Sequence, residues 1–135
     1  MVNEILLASR STGKRFWFID PEDQGNLGYL ADPEDGYESD EFFINPTGFI
    51  RRIVNASEED IEEQLDRQYV FCREMGMDEY EANREVEKAE RKLRKRLEKL
   101  RDLFRRYPDL EVVYYNIGYG WRKGWVNPVY KRLFG

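Results

Sequence analysis

Residues 79–107 read EYEANREVEKAERKLRKRLEKLRDLFRRY, and the spacing of their apolar members decides how the rest of the chain is read. Ala82, Val86, Ala89, Leu93, Leu97, Leu100, Phe104 and Tyr107 recur at steps of three and four, which holds them in one stripe of a helix. No Gly or Pro interrupts the run. Asp78, with Glu81 three residues on, has the spacing of a capping box, and Pro108 stops propagation at the other end. A helix over 79–107 rises about 43 Å, more than a domain of this size needs. Either other elements pack along all of it or one end projects, and a projecting end offers a place for homo-oligomer contacts.

Upstream, Ser57 and Asp60 form a second capping-box signal that opens a helix over 57–75, with Ile61, Leu65, Tyr69, Cys72 and Met75 facing inward. Gly76 is its natural stop, and Met77 and Asp78 alone separate the two helices, which predicts a helical hairpin. Downstream, 110–117 alternates as a strand: Leu110, Val112, Tyr114 and Asn116 face one way, Glu111, Val113, Tyr115 and Ile117 the other.

The N-terminal part reads mostly as strands. Val2–Ala8 and Lys14–Asp20 flank the turn residues Ser11, Thr12 and Gly13, which predicts a hairpin. Phe16 and Phe18 lie on one face of the second strand and Arg15, Trp17 and Ile19 on the other. Aromatics on both faces predict a central strand, or else a face used for binding. The repeated Asp-Pro-Glu-Asp at 20–23 and 32–35 reads as two turns around a short strand at 26–31. Residues 32–41 hold six acids and no base, the composition of an exposed, mobile loop. Glu41–Ile44 is a further apolar stretch; Gly48–Val54 is a strand or a short helix, with a turn over 45–48 before it. The expected fold is a single α+β domain over 1–135, a mainly antiparallel sheet of four to five strands (N-terminal hairpin and meander plus a C-terminal strand) against a helical hairpin. The tail 118–135 stays unassigned.

Composition narrows the function classes. With 135 residues and 20 aromatics the chain can build one core without staples. Cys72 is the sole cysteine, so no intrachain disulfide forms, and as a free cysteine in a helical pattern it is expected to be buried. No apolar run is long enough to span a bilayer, and Met1–Glu4 lacks the basic start of a signal peptide, so a cytoplasmic protein is expected. Abundant Glu, Arg and Lys with three Gln lean toward a thermophilic composition.

The absence of histidine removes Ser-His-Asp and Cys-His nucleophiles and His-containing zinc sites. Gly118, Gly120 and Gly124 are too loosely spaced for a phosphate loop. Asp20, Glu22, Gln24 and Gly25 begin like an EF-hand loop, but Ala31 stands where the bidentate Glu belongs. Glu90-Arg91-Lys92 lies on the outer face of the long helix, where carboxylates do not converge on one ion. No cofactor and no catalytic residue is expected.

Charge is the remaining signal. The net value of -5 hides a strongly acidic first third and a basic second half of the long helix. Lys88, Lys92, Lys95, Lys99 and Arg106 fall on one flank of the apolar stripe; with Arg122 and Lys123 they form a candidate polyanion-binding set. Against this, acids at the helix start and bases at its end follow the macrodipole, and Glu87 with Arg91 and Glu90 with Arg94 are favourable i, i+4 pairs. Asp32, Glu34, Asp35, Tyr37 and Glu38 of the acidic loop, with Trp121 and Trp125, form a candidate partner-binding set. The leading expectation is a non-enzymatic regulator or adaptor that binds another protein through the acidic loop and the long helix. Nucleic-acid binding by the basic flank and tail comes second, and a carboxylate- or cation-dependent enzyme third.

Overall fold

The structure, a computed structural model, describes residues 2–21 and 26–117 together with the backbone of 123–126. It is an α+β fold. Strands β1 (Val2–Ser9), β2 (Arg15–Pro21) and β3 (Leu110–Ile117) form an antiparallel sheet in the order β2-β1-β3, and the short β4 (Lys123–Val126) pairs along the far side of β3. Three full-length strands thus carry the sheet, in place of the four to five expected. The central strand is β1, and β2, read as central from its two-faced aromatics, lies at an edge.

The expected meander is helical instead, and over 48–54 it takes the helix of the two alternatives. The stretch after β2 forms α1 (Gly28–Ala31), a 3-10 turn (Gly36–Glu38), α2 (Asp40–Ile44) and α3 (Pro46–Val54). Short polar side chains hold the starts of these elements, Ser39 and Asn45 as N-caps and Asn26 by a local turn bond. Asn26 Oδ1 accepts the Gly28 N–H at 2.8 Å, Ser39 Oγ the Glu41 N–H at 3.2 Å, and Asn45 Oδ1 the Gly48 N–H at 3.0 Å, with Pro46 opening α3.

The helical hairpin is present as α4 (Glu58–Glu74) and α5 (Glu79–Arg106). Ser57 and Asp60 close both halves of a capping box, whereas Asp78 makes its half alone, accepting the Glu81 N–H at 2.8 Å. Between the helices, Gly76 sits at φ +94°; its N–H reaches the Arg73 carbonyl and the Met77 N–H the Cys72 carbonyl, the two bonds of a Schellman stop.

Helices cover one face of the sheet. Ile5, Leu7 and Phe18 meet Leu93, Leu97 and Leu100 of the α5 stripe there, together with Ile50 and Ile53 of α3 and Ile61 of α4. Phe42 stands at the centre of an aromatic group with Tyr37, Phe49 and Tyr115. β3 does not keep the simple alternation expected of it. The register with β1 slips between Leu6 and Leu7, which pair with Tyr114 and Val112, so Val113 is the extra residue of a bulge. Leu110, Val112, Tyr115 and Ile117 therefore share the core, and Val113 packs with Ala8 and Leu6 in a small separate cluster.

Candidate functional site

The hairpin turn sets which backbone groups β2 turns outward. Ser9 donates to the Lys14 carbonyl at 2.8 Å, so by the alternation of antiparallel ladders Phe16, Phe18 and Asp20 bond to Leu7, Ile5 and Asn3 of β1. The N–H and C=O groups of Arg15, Trp17 and Ile19 then point to the other side, where no strand among the described residues pairs with them. Trp17 and Ile19 are 58% and 51% exposed, large values for apolar residues on a sheet edge. Trp17 is steadied on the outer face by Tyr114, edge-on at 5.7 Å.

Beside this edge runs a cleft of about 690 Å³. One wall is β2 itself, Arg15 to Ile19 with Pro21; the other is Arg96, Lys99, Asp102 and Leu103 of α5. The helix period puts Arg96, Lys99 and Leu103 on one flank, and the ring contact of Phe16 with Tyr107, 4.9 Å between centroids, holds that end of α5 against β2. The charged side chains among the described lining residues are Arg15, Arg96, Lys99 and Asp102, and Asp102 is engaged by Arg106 at 3.6 Å and Arg105 at 4.0 Å.

The candidate polyanion strip is thinned by internal pairing. Lys88 bridges to Glu85 at 3.5 Å and Arg106 to Asp102. Arg94 forks onto both Glu58 oxygens at 2.9 Å and takes Glu90 at 2.8 Å. Donating those bonds to Glu58 and Glu90 raises the Arg94 pKa, and accepting from Arg94 lowers that of Glu58. Arg101 donates to the Val54 and Ala56 carbonyls, and Arg105 to Glu98. Lys92, Lys95 and Lys99 are exposed, and Lys95 and Lys99 make no ion pair among the described residues. Among the described residues Lys99 is the one member of the set that lines the cleft. Arg122, and the side chain of Lys123, lie outside the described residues.

The acidic stretch is folded, which corrects its reading as a mobile loop. Asp32 Oδ1 accepts the N–H groups of Glu34 and Asp35 at 3.1 Å each. A side-chain bond with Ser39, then the Asp35 N–H, hold the Asp32 carboxyl below its ordinary pKa. Tyr37 is 3% exposed and cannot present a surface to a partner, which removes it from the partner-binding set. Glu34, Asp35 and Glu38 are exposed, and Asp32 is half-buried. Trp121, and the side chain of Trp125, lie outside the described residues.

Of the described cleft residues Lys99 alone belongs to a candidate set; Arg15, Phe16, Trp17, Phe18 and Ile19 of β2 are among those absent from both. Their signal was the two-faced aromatic pattern of β2, which has a binding face among its explanations. Met75, expected inward, is 67% exposed and shares the tip of the helical hairpin with Val70, Phe71 and Tyr80. Cys72 is buried, with Gln68 Nε2 at 3.7 Å from its sulfur. Among the described residues no group of His, Cys, Asp and Glu is placed to hold a metal ion, and no helix is long and apolar enough to cross a membrane. No family model, curated protein or solved structure matches the chain.

Proposed function

We propose that the chain is a non-enzymatic adaptor that binds another protein by taking an extended segment of it onto the edge of β2. The observation that carries this reading is the coincidence of an outward-facing ladder at Trp17 and Ile19 with a cleft between β2 and α5. Main-chain bonds to an edge supply affinity in such binding, and pockets for alternate side chains supply selectivity. Phe16 and Phe18 flank the inner side of the edge, and Trp17 and Ile19 the outer, so an added strand meets apolar surface on both faces. The partner surface thereby moves from the acidic loop to the edge strand and the C-terminal half of the long helix.

A second reading is single-stranded nucleic acid, favoured by the exposed indole of Trp17 and by Lys95 and Lys99, a combination suited to base stacking and phosphate contact. The two readings differ in the backbone. Strand addition slows hydrogen exchange at the Trp17 and Ile19 amides, whereas stacking leaves those amides exchanging as in the free chain. Peptides selected from a random display library, followed by amide exchange on the complex, make the test. Selected peptides that bind without slowing either amide would remove the strand-addition reading.

A further inference from the structure

We infer that the far end of the helical hairpin is a second docking surface, where a groove between α4 and α5 takes a basic amphipathic helix of another protein. It is separate from the β2 edge and does not rest on the strand-addition reading.

Between Leu65 and Leu93 neither helix gives a buried side chain to the main core, and Val86 reaches only its margin. The buried side chains there are Gln68, Cys72, Ala82 and Ala89, most of them small. On one side of the helix pair Arg94 spans Glu58 and Glu90. By the helix period Phe71 and Met75 lie across the buried stripe of α4 from Glu58, and Glu81 and Glu85 across that of α5 from Glu90. These four therefore border the opposite side of the pair. Phe71 and Met75 are one helical turn apart and 49% and 67% exposed, and a thioether beside an aromatic ring adapts to apolar side chains of varied shape. A helix laid along the groove covers both with its own apolar stripe.

Charge selects the occupant. Residues 59–88, all of them described, carry 11 acids and four bases. The bases nearest the groove are already paired, Arg67 with Glu63 and Lys88 with Glu85 at 3.5 Å each. Arg73 and Arg84 lie elsewhere on the two helices, Arg84 over the Tyr80 ring. Glu74, Asp78 and Glu81 are exposed and make no ion pair among the described residues. A basic helix thus meets carboxylates on both borders of the apolar pair. A second copy of this chain would bring the same excess of acids to the same place, and nucleic acid or an anionic lipid would add phosphates to it.

The test uses three blocked helical peptides of about 16 residues, long enough to run the length of the groove. One carries leucine on one face and lysine on the other, one leucine and glutamate, and one alanine and lysine. Each is titrated into the full chain with labelled methionine methyls, at low and at high salt. The leucine-lysine peptide should shift the Met75 methyl and bind about tenfold tighter than either other peptide, with the advantage over the glutamate peptide shrinking as salt rises. Phe71→Ser and Glu81→Lys should each lose about that factor, whereas Val70→Ser, on the back of α4, should keep it. All three positions are exposed, so the variants should melt with the parent chain. Equal binding of the glutamate peptide would overturn the charge selection, and equal binding of the alanine peptide the apolar contact, and either ends the inference. A Met75 methyl unmoved by every peptide at millimolar concentration would overturn it outright. A Met75 shift that grows with chain concentration before peptide is added would give the groove to a second copy and overturn it as well. The Trp17 and Ile19 amides report on the β2 edge separately, so failure here leaves that reading where it stands.

Discussion

The Tyr37 hydroxyl donates to Oδ2 of Asp20 at 2.9 Å, and that same oxygen accepts the Leu27 N–H at 2.8 Å. Both side chains are buried, so one carboxylate at the end of β2 anchors the helical turns that follow. This bond explains why six acids in ten residues do not form a loose loop. Tyr37→Phe keeps the ring and removes the donor; it should cost about 1–2 kcal/mol in urea unfolding. Burial first, then the charge of Asp20, raise the Tyr37 pKa well above 10.0. The folded chain therefore keeps this proton where the unfolded chain loses it. The contribution is full below about pH 10 and is lost as pH rises beyond that value. Alkaline melting curves should be flatter for Tyr37→Phe than for the parent chain.

Gly28→Ala should destabilise the fold through the same tyrosine. A Cβ at Gly28 would lie 2.8 Å from Tyr37 Cδ2 and 3.0 Å from its backbone nitrogen. Neither atom has room to withdraw, because the ring is buried and its hydroxyl is held. A loss of about 1–3 kcal/mol is expected for such overpacking. A denaturant midpoint unchanged from the parent would show that the turn at 36–38 shifts freely.

Arg101 ties the end of α3 to α5 by donating to the Val54 carbonyl at 2.9 Å and the Ala56 carbonyl at 2.6 Å. These carbonyls lie beyond the helix ladder and need a partner. Arg101→Met preserves the stem and leaves both acceptors to solvent, so a loss of about 1–2 kcal/mol is expected. Thermal melts of Arg101→Met and Arg101→Lys would check it, the lysine variant falling between because one ammonium replaces the two-armed guanidinium.

Asp109 contributes to the acid limb, together with Asp32 and Glu58. The Ser11 N–H at 2.9 Å and the Ser9 hydroxyl at 2.7 Å stabilise the Asp109 carboxylate and lower its pKa to about 2. Because the folded pKa lies below the unfolded one, this contribution is present above about pH 4 and is lost as pH falls through about 2. Carboxyl chemical shifts should titrate with a midpoint near 2, and Asp109→Asn should flatten the acid side of the stability profile. A midpoint near the ordinary carboxylate value would show that the turn at 10–13 is not held by this bond.

The helices with long periodic stripes were legible to within a residue of their ends, since α4 and α5 carry both an apolar seam and explicit stops at Gly76 and Pro108. β3 was legible in extent but not in its faces, because one extra residue at Val113 reverses the alternation and nothing local marks it. The short helix left open over 48–54 is present as part of α3, but the segment 26–47 misled for a different reason. Ser39 and Asn45 serve turns and helix caps equally well, and helices of four or five residues are too short for a period to show. The cleft was half legible. Lys99 stood out as part of a charged flank, but Arg96 and the aromatic edge become its neighbours through the packing of α5 beside β2.

The central place of β1 also sets an order of events during synthesis. Its partner on one side, β2, follows after a short turn, but Ser9 must wait for Asp109, 100 residues later, before the other side is closed. At typical elongation rates that interval is about 5–20 s. For its duration Ile5 and Leu7 sit in a two-stranded ribbon with an open flank, an arrangement marginal in water by itself. A nascent chain halted on the ribosome before β3 should be a client for chaperones, and one released past residue 117 should not.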